Sequence, residues 1–123
     1  MPQIHNIVPV LRVVEITQAI GFYTTILGFD LLWQMPADGG GEHCMLKAGG
    51  AELMLSTGAH LGDRPAFTGT LYFNMDGVEA FFERVKDRVE LVWPLELMDY
   101  GLREFGIRDL DGYTLAFAEQ VGS

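Results

Sequence analysis

Few side chains in this chain could do chemistry, and they are scattered. The histidines are His5, His43 and His60; with Glu52 they could in principle hold a divalent ion, since imidazole and carboxylate are the donors that first-row metals take. His5, however, is in phase with Ile7, Pro9 and Leu11 in "HNIVPVLRV", which turns it away from the side that carries Val8, Val10 and Arg12. His43 opens a strand after the loop "PADGGGE", and His60 falls in the turn-rich stretch "STGAHLGDRPAF"; an exposed or hydrogen-bonded structural role suits each. Cys44 is the single cysteine, so no intramolecular disulfide forms. It alternates with Leu46 as a small core residue does, and no positive neighbour marks it as a reactive thiol. No serine lies in a nucleophile elbow. "GGGE" joins two strands rather than opening a helix, which makes it a hairpin loop or lid rather than a phosphate cradle.

The chain has 123 residues, enough for one domain with its own core. Seventeen acidic residues against eight basic ones give a formal charge of −9, and the Lys and Arg are dispersed, which argues against nucleic acid. A negative field favours a cationic ligand, although it is also what an acidic, well-solvated surface looks like. The N-terminal stretch has no basic leader and no apolar run reaches membrane-spanning length, so the expectation is a cytoplasmic protein without a membrane partner.

The elements that must position these groups come as a duplication. "FYTTILGFDLLW" is echoed by "FFERVKDRVELVW", and "GGAELMLS" matches "DGYTLAFA" at an offset that pairs Leu53 with Leu115 and Leu55 with Phe117. In the first half "IVPVLRV" reads as a β-branched strand. A helix follows from about Thr17, with Gly28 as its C-terminal cap, and then strands at "FDLLWQM", "HCMLKA" and "AELMLS". In the second half "TLYFNM" is the strand, and Asp76 with Glu79 fits a capping box opening a helix that turns Val78, Phe81, Phe82 and Val85 inward. "VELVW", "REFGIRD" and "YTLAFAE" complete the order, with "DLDG" as the last turn. The expected fold is α+β: two tandem βαβββ modules, 1–56 and 68–123 joined by a linker over 57–67, forming a curved mixed sheet around a cavity.

"LRVVEITQAIGFYTTILGF", followed by "YGLREFGIRDLDGYTLAFAE", resembles the vicinal oxygen chelate superfamily, which groups glyoxalase I, extradiol dioxygenases, fosfomycin-resistance enzymes and bleomycin-resistance proteins. The resemblance covers nearly the whole chain and departs from the family's Asp-Pro-Asp-Gly turn at Leu110. It implies that metal-dependent members hold a divalent ion with one side chain from the first and last strand of each module. Carried over to this sequence, the positions are Val8, Thr70, Ala116 and either Met54 or Glu52. The offset that relates Val8 to Thr70 also relates Met54 to Ala116, which selects Met54. Valine, methionine, threonine and alanine are not ligands for such an ion, so no metal and no cofactor is expected.

What remains is a lining. In phase with those positions are Val10, Arg12, Ser56, Tyr72, Asn74, Thr114 and Ala118, with Met45 and His43 as further candidates. The ligand-binding set expected is Arg12, Met54, Thr70, Tyr72, Asn74, Tyr100, Arg103 and Ala116, with Tyr100 and Arg103 at the rim in "YGLREF". Each has a plainer reading: Val10 and Met54 can pack together, and Arg12 can pair with Glu104. Trp33 and Trp93 occupy equivalent places and are expected in core or dimer packing. The resemblance is strongest in character to bleomycin-resistance proteins. It implies a metal-independent homodimer without catalytic residues that sequesters an apolar or aromatic, potentially cationic small molecule. The alternatives are a metal-dependent glyoxalase- or dioxygenase-type enzyme with ligands elsewhere, and a structural or regulatory dimer with a collapsed cavity.

Overall fold

The computed structural model describes residues 2–36 and 40–121. Ala37, Asp38 and Gly39, and with them the lid reading of the "PADGGGE" loop, lie outside the described residues. Contacts divide the chain into two compact units, Met1–Pro65 and Ala66–Ser123. Among the described residues no helix is long and apolar enough to cross a membrane.

The first unit runs β1 (Val10–Arg12), α1 (Ile16–Gly21), a π-helical segment (Phe22–Ile26), β2 (Asp30–Pro36), β3 (Glu42–Ala48) and β4 (Ala51–Ser56). Its sheet has the order β1-β4-β3-β2, with β1 parallel to β4 and the other pairs antiparallel. β1 is shorter than "IVPVLRV" suggests: Pro9 lies outside it and contributes only its carbonyl, which accepts from Met54 N at 2.9 Å. The helix begins at Ile16, a residue early, because the Glu15 carboxylate accepts from Gln18 N at 2.6 Å and caps it. The π-helical segment breaks the 3.6-residue period and lets the consecutive rings of Phe22 and Tyr23 both be buried. Gly28, at a φ of 84°, ends the helix as expected. The core beneath the sheet holds Leu11, Val13, Leu46, Leu53 and Leu55 together with Tyr23 and Phe29, whose rings meet edge to face at 5.5 Å. Cys44 is buried there, and burial raises its thiol pKa, as a core residue requires.

The second unit repeats the order with β5 (Thr70–Asn74), α2 (Val78–Val85), β6 (Glu90–Leu97), β7 (Leu102–Arg108) and β8 (Thr114–Gln120), arranged β5-β8-β7-β6. The duplication is exact in register where it matters: Val10 faces Met54, and Tyr72 faces Ala116, an offset of 62 in both strands. Val78, Phe81 and Val85 of α2 are buried, and Phe81 packs on Phe105 and Phe117, its ring 4.9 Å from that of Phe117, which lies 5.4 Å from Phe105. Burying each ring side chain contributes about 1.5–3 kcal/mol of transfer free energy. The "DLDG" turn forms as read, with Asp109 Oδ1 accepting from Asp111 N and Tyr113 N, both at 2.9 Å, and Gly112 at a φ of 89°.

The Asp76 and Glu79 capping box does not form. Gly77 is the N-cap, at a left-handed φ of 75° and with no side chain to offer, so Asp76 is carried out of capping position. The missing acceptor comes from the sheet: Glu119 Oε1 of β8 accepts from Val78 N at 3.1 Å. Hydrogen bonds from the Gly77 and Val78 amides lower the Glu119 pKa, with the positive charge of Arg103 adding to the effect.

Candidate functional site

Residues alternate across each strand, so the face of the second sheet opposite α2 carries the even-numbered side chains of β5, β7 and β8. The register sets them in rows. Tyr72, Ala116, Gly106 and Trp93 stand side by side, and the next row is Asn74, Ala118, Glu104 and Glu96. Thr70 falls opposite Thr114 in the row before. The structure therefore brings Thr70, Tyr72, Asn74 and Ala116 onto one face, with Ala116 and Ala118 fully buried as its bed.

The centre of that face is a residue sequence reasoning treated only as a partner for Arg12. Glu104 is 1% exposed, and its carboxylate accepts from Tyr72 Oη at 2.9 Å, Trp93 Nε1 at 3.1 Å and Tyr100 Oη at 2.6 Å. All three donors are uncharged, so the anion is satisfied by hydrogen bonds rather than by a cation. The signal was present in "LREFGIR": an acidic residue inside the strand, alternating with Phe105 and Ile107 and in phase with a glycine. Trp93 is not simply packed away. Its indole lies flat over Gly106, where an added Cβ would come within 2.6 Å of three ring atoms, and this aims the N–H at Glu104.

Tyr72 and Tyr100 are 46% and 62% exposed, so they present ring faces and edges to solvent while their hydroxyls point inward. The bond to Glu104, with the neighbouring Tyr72 adding to it, holds the Tyr100 hydroxyl well above its ordinary pKa: ionisation would set a second anion against the carboxylate. Both hydroxyls are thus fixed as donors to Glu104, and their oxygen lone pairs are left to accept. An open groove of about 470 Å³, lined by Asn74, Met75, Asp76, Leu102, Ala118 and Gln120, adjoins this face at the ends of β5 and β8. Arg103 does not belong here. It alternates with Glu104 and so falls on the α2 side, opposite Glu119.

The corresponding face of the first sheet carries Val10, Met54, Met45 and Trp33 in one row, and Arg12, Ser56, His43 and Met35 in the next. Met45 and His43 thus share the face of Met54. Arg12 donates to Gly62 O at 3.1 Å and Val13 O at 2.9 Å, bracing the chain after β4. Glu52 accepts from Asn6 Nδ2 at 2.7 Å. The positions Val8, Met54, Thr70 and Ala116 offer at most a thioether and a hydroxyl, a donor set that does not fit a divalent first-row ion. Among the described residues no group of three or more His, Cys, Asp or Glu is placed to hold one.

The family model described as Glyoxalase/Bleomycin resistance protein/Dioxygenase superfamily matches residues 3–117. Similar solved structures include TioX from Micromonospora sp. ML1, at 24% identity over 95% of this chain and 99% of that one, with a TM-score of 0.77. TnmS3, an antibiotic binding protein from Streptomyces sp. CB03234, is 23% identical over 98% and 99%, also at 0.77. A superfamily member from Sphaerobacter thermophilus DSM 20745 is 21% identical over 95% and 98%, at 0.78. At these identities the likeness is one of fold. No curated protein matches the chain significantly.

Proposed function

The chain belongs to the Glyoxalase/Bleomycin resistance protein/Dioxygenase superfamily, and within it we propose that this protein is a metal-independent binder that sequesters a planar aromatic, cationic small molecule. The observation that carries the reading is the buried Glu104 carboxylate behind the exposed rings of Tyr72 and Tyr100. A cation over a tyrosine face is attracted by the ring, by about 0.5–2 kcal/mol, and a negative charge one hydrogen bond behind that ring adds to the attraction. The hydroxyl oxygens, their protons committed to Glu104, accept from an N–H of the ligand. Thr70 and Asn74 supply further polar contacts from the same face, and the overall charge of −9 favours a cationic partner.

Binding alone is the function: the Tyr72 and Tyr100 hydroxyls are held as donors to Glu104, and the Glu104 carboxylate is committed to three donors. TnmS3, of the same fold, is described as an antibiotic binding protein, which supports a ligand-holding role for this architecture. The same reading has the chain working as a cytoplasmic homodimer. The test compares 9-aminoacridine with uncharged acridine at pH 8 by calorimetry. The cationic probe is expected to bind at least about tenfold tighter, and Glu104→Gln to bring the two within a factor of about two. Equal affinities in the unsubstituted protein would sink the reading.

A further inference from the structure

Among the described residues His43 Nε2 is a buried ring nitrogen without a hydrogen-bond partner. Leaving such an atom unpaired costs stability unless something completes it. The side chains beside it on the sheet do not. Ser56, opposite on β4, is fully buried and its Oγ accepts from Gly58 N at 3.0 Å. Met35, opposite on β2, and Met45, two residues along, carry only thioethers, which are weak acceptors. The Trp33 ring meets the imidazole edge to face at 5.1 Å, which fixes its plane without bonding Nε2.

The duplication gives this atom a counterpart. Ser56 and Ala118 are related by the same offset of 62 as the paired strands, and the residues facing them are His43 and Glu104. In the second unit that position is filled by an acceptor that its own tyrosines and tryptophan satisfy. In the first unit it is an imidazole nitrogen left open, with Trp33 in the place of Trp93.

We infer that His43 is the hydrogen-bonding anchor of a ligand site on the face of the first sheet, taking the hydroxyl of a planar aromatic compound whose ring lies against Trp33, Met45 and Met54. This rests on the small-molecule reading above and adds a site on the first unit, taken by itself. The ring follows from the lining: an indole and thioethers receive an aromatic plane through stacking and sulfur contacts. The hydroxyl follows from the imidazole, because a neutral Nε2 is a donor in one tautomer and an acceptor in the other, and a hydroxyl serves both where a carbonyl serves one. Trp33, His43, Met45 and Met54 are each partly exposed, so a ring has a face to rest on, and the hydroxyl meets the shielded Nε2 as the side chains over it part.

The experiment titrates 2-naphthol and naphthalene, which differ by that one group, into the protein and follows tryptophan emission. 2-Naphthol is expected to bind about tenfold tighter, the weight of one hydrogen bond at a desolvated site. His43→Phe should erase the difference while leaving naphthalene binding intact, and His43→Gln, which keeps a donor and an acceptor, should restore part of it. In the unsubstituted protein the 15N shift of Nε2 should move with 2-naphthol and stay with naphthalene, a readout that needs no variant to fold. A preference that survives in His43→Phe, or an unmoved Nε2, overturns the inference. If neither naphthalene probe binds while 9-aminoacridine does, the His43 site is wrong and the binder reading stands; if nothing binds, both fall.

Discussion

Gly106 shows how much of the site hangs on single residues. A methyl at this position would stand 2.6 Å from three atoms of the Trp93 ring, so Gly106→Ala must lift the indole off the sheet and take its N–H away from Glu104. Chemical denaturation should show a loss of about 1–3 kcal/mol, as overpacking does, with a shift in tryptophan emission. Unchanged stability and emission would mean that the ring is not seated there. Alternation alone placed Thr70, Tyr72, Asn74 and Ala116 on one face, because β5 and β8 pair without interruption. It could not place Trp93: the β6 register shifts on both sides of that residue, between Leu91 and Trp93 and again before Glu96, and bulges reset a phase that sequence spacing assumes constant. Glu104 escaped for a different reason. Its donors come from β5, β6 and the turn before β7, a convergence only the folded chain creates. Arg103 was placed at the rim by motif and lies on the other face by parity.

Among the elements, α2 depends on a residue far from it in sequence. With Gly77 at its N-cap, the first turn relies on the Glu119 carboxylate from β8. Glu119→Ala should lower Tm by a few degrees at pH 7. The Glu119 pKa is lowered in the folded state, so its contribution is present above the ordinary carboxylate range and is lost as pH falls through the folded value. The gap between the unsubstituted protein and the variant should accordingly close on acidification; a gap independent of pH would assign the effect to packing instead. The element order was readable throughout, since each strand is bounded by turn residues and the duplication supplies every element twice. What misled was the helix entry: Asp76 and Glu79 have capping-box spacing, but the left-handed Gly77 between Asp76 and the helix decides the geometry. The π-helical segment was equally invisible, because Ile20, Tyr23 and Leu27 keep helical spacing whether or not a residue is inserted among them.

At the scale of the molecule, two βαβββ units built on one register carry different chemistry at matching places. One has a carboxylate satisfied by aromatic donors, the other an imidazole, and the positions related by family resemblance to metal ligands hold Val8, Met54, Thr70 and Ala116. The duplicated frame was legible because the same order of strands, helix and turns recurs in both halves, with Leu53 and Leu55 matched by Leu115 and Phe117. The binding chemistry was legible only as a list of lining residues, since what distinguishes a ligand-binding face from a packed one is which polar groups satisfy each other. The central claim is that such a face binds a cationic aromatic molecule without a metal, and a single calorimetric titration addresses it: 9-aminoacridine into protein before and after exhaustive treatment with EDTA. Saturable binding with the same affinity in both samples is the predicted result. Binding that disappears with EDTA and returns on adding Zn²⁺, Ni²⁺, Mn²⁺ or Fe²⁺ would contradict it.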